Sequence, residues 1–371
     1  MWARLLAPRR SVCHLSAARA VMANKTKWVA AEKSDEPIQE VARRALESRL
    51  DLVWRYLPAA AKGPRKEIEN VHQLRVATRR AMAALEIFAD LLPGRRKKWM
   101  QRRLKQVRKA AGDARDFDVL GQRLAKRLDG EADPSVELLL VEVQKRRKAA
   151  QRPIEASHAK LKRKDFPRRE ARLLKHVRLR TESDLAEQPS FAEAGVHALR
   201  QLVQDFFAAA DGDLSDPVAL HAFRIQGKQL RYAMEIFAGA FPPALRKKLY
   251  PQVERLQEKL GDINDHASAR RHFGDWIGTT ERPEVAEVLR TMGDEETTAL
   301  GESTARFFAW WTTKRSDSLR LGFAQLLTLD KPEASLAISG RRDSKCDAAA
   351  TNGSPPHVDS ESPQVADAQA G

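Results

Sequence analysis

Residues 71–93 read VHQLRVATRRAMAALEIFADLLP, and residues 220–242 read LHAFRIQGKQLRYAMEIFAGAFP. Each stretch places a histidine three positions ahead of an arginine and seven ahead of a second cation: His72, Arg75 and Arg79 in the first, His221, Arg224 and Lys228 in the second. Arg80 and Arg231 add charge to the two sets. These are side chains for holding anions. Arginine offers a planar fork to two phosphate or carboxylate oxygens, lysine a mobile point charge, and histidine one more hydrogen bond. Guanidinium neighbours repel a cation, which reads against a metal site. No nucleophile-base pair and no Walker loop accompanies the sets. The expectation is a binding module rather than an enzyme, with no catalytic residue and no cofactor.

On a wheel of about 100° per residue, His72, Arg75, Arg79 and Glu86 fall within roughly 60° of one another, with Leu74, Ala81, Leu85, Phe88 and Leu92 on the opposite side. His221, Arg224, Lys228, Arg231 and Glu235 form the matching stripe against Phe223, Leu230, Met234 and Phe237. Each helix thus has one apolar edge and one cationic edge. An amphipathic helix can carry such charges simply as its solvated face. A solvated face usually alternates signs, though, and solubility does not require the same residues at the same phase twice.

The elements that position these residues are helical. Ile38, Val41, Ala42, Ala45, Leu46, Val53 and Leu57 mark an apolar face that starts after Ser34-Asp35-Glu36-Pro37 and that Pro58 closes. Asn70 and Gln73 resemble a capping box for the first motif helix, which Pro93-Gly94 stops. Asp216-Pro217 opens the second, and Pro242-Pro243 ends it. Asp113, Asp116 and Asp118, after Gly112, are expected to cap the next helix rather than to bind Mg²⁺. Trp310 and Trp311, beside Phe307 and Phe308, read as core or interface filler. No stretch reads as a β-strand, so the fold class is all-α.

The spacing shows a duplication. His72 to His221 is 149 positions, and so is Gly112 to Gly261. The same shift pairs Arg75 with Arg224, Arg79 with Lys228, Glu86 with Glu235, Phe88 with Phe237, Pro93 with Pro242, Asp113 with Asp262 and Asp116 with Asp265. Two helical halves of similar build follow, about 36–189 and 190–327.

A doubled His-x-x-Arg with further cations on a long amphipathic helix, then Gly112 to Asp116 and Gly261 to Asp265 as Gly-x-x-Arg/Asn-Asp, resembles the CHAD domain, the conserved histidine α-helical domain, over about residues 36–327. The resemblance implies two pseudo-symmetric four-helix bundles whose basic helix faces line a shared groove or pore that binds inorganic polyphosphate. On that reading the binding residues are His72, Arg75, Arg79, Arg80, His221, Arg224, Lys228 and Arg231, extended by Arg102, Arg103, Arg108 and Lys247 from dense basic runs. Gln229 stands at the position of Arg80, and Asn264 at that of Arg115, so those sites contribute less in the second copy. CHAD domains often accompany a triphosphate tunnel enzyme with a Glu-x-Glu-x-Lys signature. Here Glu67-Ile68-Glu69 is followed by Asn70 and Val71, in a loop before the helix.

The whole chain of 371 residues carries a formal charge of +16, with 31% charged and 6% aromatic residues. Such an excess suits nucleic acid, a membrane surface or another polyanion. Nucleic-acid backbone binding, to RNA or DNA, is the alternative partner. Few aromatics on the basic stripes argues against stacking of single strands. A phosphatase or kinase acting through the two histidines is a third reading. No apolar run approaches the roughly 18 residues of a membrane span. Cys13 and Cys346 lie in opposite tails, which fits a reducing, cytoplasmic setting, and the resemblance adds an expected association with polyphosphate granules. Residues 1–35 are expected to form a basic flexible segment. The stretch before Glu32 has the composition of a transit peptide, or else the chain begins at Met22. Residues 328–371 lose aromatics and periodicity and read as a disordered tail.

Overall fold

The computed structural model describes residues 27–29, 34–62, 68–130, 133–178 and 189–329. Among these residues the fold is all-α, apart from an isolated antiparallel bridge between Pro37 and Ser190. In chain order the helices are α1 (Ile38–Ala61), α2 (Ile68–Ile87), α3 (Gly94–Ala110), α4 (Gly112–Leu128), α5 (Pro134–Ala149), α6 (Gln151–Arg163), α7 (Phe166–Leu174), α8 (Phe191–Ala210), α9 (Pro217–Phe237), α10 (Tyr250–Ile277), α11 (Pro283–Trp310) and α12 (Thr313–Leu329). A 3-10 turn, Ala89–Leu91, follows α2, and a π-helical turn, Leu245–Leu249, precedes α10.

Prolines punctuate this chain differently from the sequence expectation. Pro58 lies inside α1 instead of closing it, in the last turn, where the missing N–H removes a single helical bond. α2 already runs from Ile68, so Ile68 and Glu69 are helical and Asn70 sits within the first turn rather than capping it. The helix ends at Ile87, six positions before Pro93, and Phe88, Leu91 and Leu92 fold inward to the core. Pro93 is the residue that opens α3, where a missing N–H costs nothing. α9 similarly ends at Phe237, ahead of Pro242. Asp216 caps α9 as expected, its carboxylate accepting from the N–H groups of Val218 and Ala219. Ser190 and Glu193 form a reciprocal capping box on α8.

The aspartates after Gly112 do not cap. α3 passes into α4 through Ala111, with no side-chain cap. Asp118 is instead buried against Arg147, whose Nε donates to Oδ1 at 2.6 Å. Gln151 accepts from Arg147 and donates to the Ala60 carbonyl, tying α4, α5, α6 and α1 together.

Apolar burial follows the wheel. One large cluster takes Leu46, Leu50 and Leu57 from α1, Leu74, Ala81 and Leu85 from α2, Phe206 from α8, Phe223 and Leu230 from α9, Leu256 from α10, Phe307 from α11 and Phe323 from α12. Each fully buried Phe or Leu of this kind stabilises the fold by about 1.5–3 kcal/mol relative to exposure. A smaller cluster joins Leu120 and Leu124 of α4 and Leu139 and Val143 of α5 to Phe273 and Trp276 of α10 and Leu289 and Met292 of α11. Both clusters draw on residues before and after position 190. Trp310 and Trp311 stack at 5.9 Å on the rim of the large cluster, where Trp311 meets Phe206 and Phe223.

The flexible N-terminal segment expected for residues 1–35 needs correction where the structure describes it. Val29 is 7% exposed, and its N–H donates to the carbonyl of Glu235. Trp28 packs edge-on to Tyr250 at 4.7 Å, and Lys27 Nζ donates to Glu254 at 2.7 Å. The carbonyls of Ser34 and Glu36 accept from Ala192 and Phe191, fastening the entry of α1 to the start of α8. The stretch around Met22 lies outside the described residues, as does the tail from residue 330.

Candidate functional site

The apolar edges of α2 and α9 are locked into the large core, with Leu74, Ala81, Leu85, Phe223, Leu230 and Met234 at or near zero exposure. The two helices pack against each other. Their cationic edges are therefore forced toward one space. Gly227, between Arg224 and Lys228, permits a close approach of α9 to α10: a Cβ there would meet Gln257 Nε2 at 2.2 Å.

That space is a cavity of about 910 Å³. α2 contributes His72, Arg75 and Arg79, and α9 contributes Arg224 and Lys228. The end of α3 adds Lys105, Arg108 and Lys109, the start of α4 adds Asp113, Arg115, Asp116 and Phe117, and its later turns add Arg123. The middle of α10 supplies Asn264, Asp265, His266, Ser268, His272, Phe273 and Trp276, and α11 supplies Glu296. Cations outnumber carboxylates in this lining. Of the four carboxylates, Glu296 is occupied, since Oε2 lies 2.7 Å from His266 Nδ1 and Oε1 accepts from Arg123.

The remaining cations are under electrostatic stress. Nε of Arg79 and Nε of Arg224 are buried without a hydrogen-bond partner among the described residues. Burial pulls the Lys228 ammonium down to about 8, and the guanidiniums of Arg224 and Arg79 push the same way. Arg75 and Arg224 are lowered first by burial, with Asp116 and Asp265 respectively opposing that shift. His72 is lowered by burial and then by Arg115, so it stays neutral at ordinary pH. Burial raises Asp116 despite the nearby Arg75. Desolvated cations with too few counter-charges form a site that favours incoming anionic oxygens. Among the described residues, no group of three or more His, Cys, Asp or Glu side chains is placed to hold a metal ion.

Six of the residues singled out from sequence meet in this cavity: His72, Arg75, Arg79, Arg108, Arg224 and Lys228. Six do not line it. Arg80 and Arg231 turn to Glu235, a carboxylate 1% exposed, which Arg80 Nε reaches at 2.9 Å and Arg231 Nη1 at 3.6 Å. Tyr250 donates to the same carboxylate, and Arg49 approaches it to 3.9 Å. This is structural charge pairing. Glu86, the residue 149 positions before Glu235, is exposed and accepts from Gln101 instead. His221 is exposed on the first turns of α9, and Lys247 is exposed on the π-helical turn. Arg102 is exposed on α3, and Arg103 lies over the ring of Trp99 at 5.5 Å.

Sequence reasoning did not single out Lys105, Lys109, Arg123, His266, His272 or Glu296 as site residues. Lys105 and Lys109 were visible as part of a basic run, but their direction was not. Arg123, His266 and Glu296 come from three helices, and no local spacing announces them. Gly112 marked a real turn: a Cβ there would stand 3.3 Å from Arg75 Nη1, so the glycine lets the start of α4 lie against that guanidinium, whereas Gly261, its counterpart 149 positions on, lies inside the unbroken helix α10.

The CHAD domain model matches residues 44–274. Two uncharacterized proteins of Mycobacterium tuberculosis, from strains CDC 1551 and H37Rv, are each 28% identical over 214 residues, which is 55% of this chain and 40% of theirs. The chain thus spans less than half the length of the curated relatives it matches. The crystal structure of the CHAD domain from the plant Ricinus communis aligns with a TM-score of 0.58 and 25% identity, over 81% of this chain and 96% of that one. PptA from Streptomyces chartreusis aligns with a TM-score of 0.51 and 16% identity, over 79% and 100% of the two chains, a likeness of fold. Among the described residues, no helix is long and apolar enough to cross a membrane.

Proposed function

The chain belongs to the CHAD-domain family, and from that premise we propose that it binds inorganic polyphosphate in the cavity between α2 and α9. The observation that carries the reading is the meeting of Arg79 and Arg224, one from each motif copy, with their Nε atoms buried and unpartnered in a single cation-rich cavity. A phosphate chain brings many acceptor oxygens and no bases. Each guanidinium can take two of them, and every negative charge that enters offsets the burial, and the repulsion added to it, that lower Lys228, Arg75 and Arg224. Binding therefore restores full protonation to Lys228 and favours the charged form of His72.

On this reading the two halves are pseudo-symmetric four-helix bundles from an internal duplication. Their motif helices offer Arg75 beside Asp116 and Arg224 beside Asp265 at matching positions. The role is capture, not turnover. Nucleic acid is disfavoured because the aromatic rings at the cavity are already engaged: Trp276 packs edge-on to Phe117 and is covered by Arg146 at 4.0 Å, leaving no stacking platform. A cytoplasmic setting with recruitment to polyphosphate granules suits such a ligand.

Calorimetry with a short phosphate chain tests the proposal. Arg79→Gln/Arg224→Gln should weaken binding by about 1.5–3 kcal/mol per lost charged contact, whereas Arg80→Gln should leave affinity nearly unchanged. Equal losses from both, or preferential retention of RNA when the two ligands compete at physiological salt, would refute it. Release of inorganic phosphate on incubation would refute the non-enzymatic part.

A further inference from the structure

The positive charge is divided unequally between the two helical halves. Residues 36–189 contain 38 Lys and Arg against 22 Asp and Glu, a net of +16, whereas residues 190–327 contain 17 against 19, a net of −2. The cavity uses only some of that excess. Much of the rest is on α3, which has no acidic residue between Gly94 and Ala110.

On α3 the cations are ordered. At about 100° per residue, Arg95, Lys98, Arg102, Lys105 and Lys109 fall within roughly 80° of one another. All five are exposed, while Met100, Leu104 and Val107 bury the opposite face. Lys105 and Lys109, at the C-terminal end of this row, line the cavity; Arg95, Lys98 and Arg102 do not. The row therefore begins inside the cavity and leaves it along α3, running about 15 Å from Lys105 to Arg95 at 1.5 Å per residue. Its outer end is broadened by α7, which is fastened to α3 where Arg169 covers the Trp99 ring at 4.7 Å and Arg96 donates to the Arg172 carbonyl at 3.2 Å.

Neither fold nor solubility demands this row. The positions 149 further on are Ala244, Lys247, Pro251, Glu254 and Glu258, which include one cation and two carboxylates. Equivalent places in the second half are thus free to be neutral or acidic, and this row is not repeated at them.

We propose that the exposed row Arg95, Lys98 and Arg102 is a second binding surface, an exit track that holds the part of a polyphosphate chain running beyond the cavity. The inference rests on the reading of the cavity as the polyphosphate site. It gives the protein a preference for chains long enough to fill the cavity and lie along α3.

The test is a chain-length series on the full chain carrying Arg95→Gln/Lys98→Gln, two exposed changes whose folding is checked by circular dichroism. Affinity for chains of about 100 phosphates should fall about five- to tenfold, with the slope of log Kobs against log salt shallower by about 1.4. Tripolyphosphate affinity should stay within about twofold of the parent, since a ligand held by cavity charges alone loses no contact. Equal losses for short and long chains, or no loss for either, would overturn the track. So would a larger loss for single-stranded RNA of matched charge than for polyphosphate, which would make the row a nucleic-acid surface. The cavity reading fails separately, if Arg79→Gln/Arg224→Gln leaves tripolyphosphate binding intact.

Discussion

Arg80 of α2 donates through Nε to Oε2 of Glu235 on α9 at 2.9 Å, so the two motif helices share one buried carboxylate. Its neighbour Arg79, 100° further round the helix, faces the cavity with Nε unpartnered. Adjacent arginines thus do opposite work: one completes the fold, and the other stays available.

Replacing Glu235 by Gln should destabilise the protein by about 3–5 kcal/mol, because the arginines it gathers would be left buried with too little counter-charge. Urea unfolding measures this. Short-chain polyphosphate affinity of the folded fraction should be preserved, and a stability loss below about 1 kcal/mol would show that Glu235 is not the anchor of the network.

The pH dependence of ligand binding should have two separable limbs. Lys228 titrates near 8 in the free protein, and a polyanion favours its charged form, so affinity should weaken as pH rises through about 8 and binding near that pH should take up protons. Calorimetry in two buffers of different ionisation enthalpy reads that uptake, and Lys228→Met should abolish it. His72, held below its ordinary value of 6.5 by burial and Arg115, should add a gain in affinity as pH falls below that value. His72→Gln should remove this acid limb and exposed His221→Gln should not, a division that the sequence, which treats the two histidines alike, does not foresee.

Deleting the contacts of Trp28 should matter despite its place near the start of the chain. Trp28→Ala removes the ring packed on Tyr250 at 4.7 Å and on the Arg246 guanidinium at 5.2 Å, and should lower stability by about 1–3 kcal/mol. An unchanged melting temperature would return residues 27–29 to the status of a loose leader.

Glu170 of α7 is buried, and its Oε1 lacks a partner among the described residues. Burial, reinforced by Asp51 and Glu47 of α1, pushes it up to about 8. A carboxyl raised in the folded state contributes most below its unfolded value near 4.5, and that contribution is lost as pH climbs through about 8. Glu170→Gln should therefore raise the melting temperature most above pH 8 and change little at pH 4.5. Equal shifts at the two ends would refute the titration.

The motif helices and the cavity's central residues were legible because two periodicities agree. The helical period sorts Arg75 and Arg79 from Leu74 and Ala81, and the 149-residue repeat places Arg224 and Lys228 on the matching face. Arg80 and Arg231 stand apart from the cavity because a wheel shows direction but not company: Glu235 lies on the same stripe as Arg231, and burial made it the partner of both. Helix ends were misread where proline was taken only as a stop, since Pro93 starts α3 and Pro58 lies within α1. The mixed end of the cavity stayed hidden because Arg123, His266 and Glu296 converge only through tertiary packing.

The bridge between Pro37 and Ser190 sets a timetable for the growing chain. The N–H of Ile38 has its acceptor on Pro189, and the N–H of Phe191 has its acceptor on Glu36. The entry to α1 therefore stays open until roughly 150 further residues have left the ribosome, about 8–30 s at 5–20 residues per second. Arg80 waits as long for Glu235, 155 residues further on. The half of the molecule that emerges first is also the one with the positive excess, so the nascent chain spends that interval as an unfinished polycation beside ribosomal RNA.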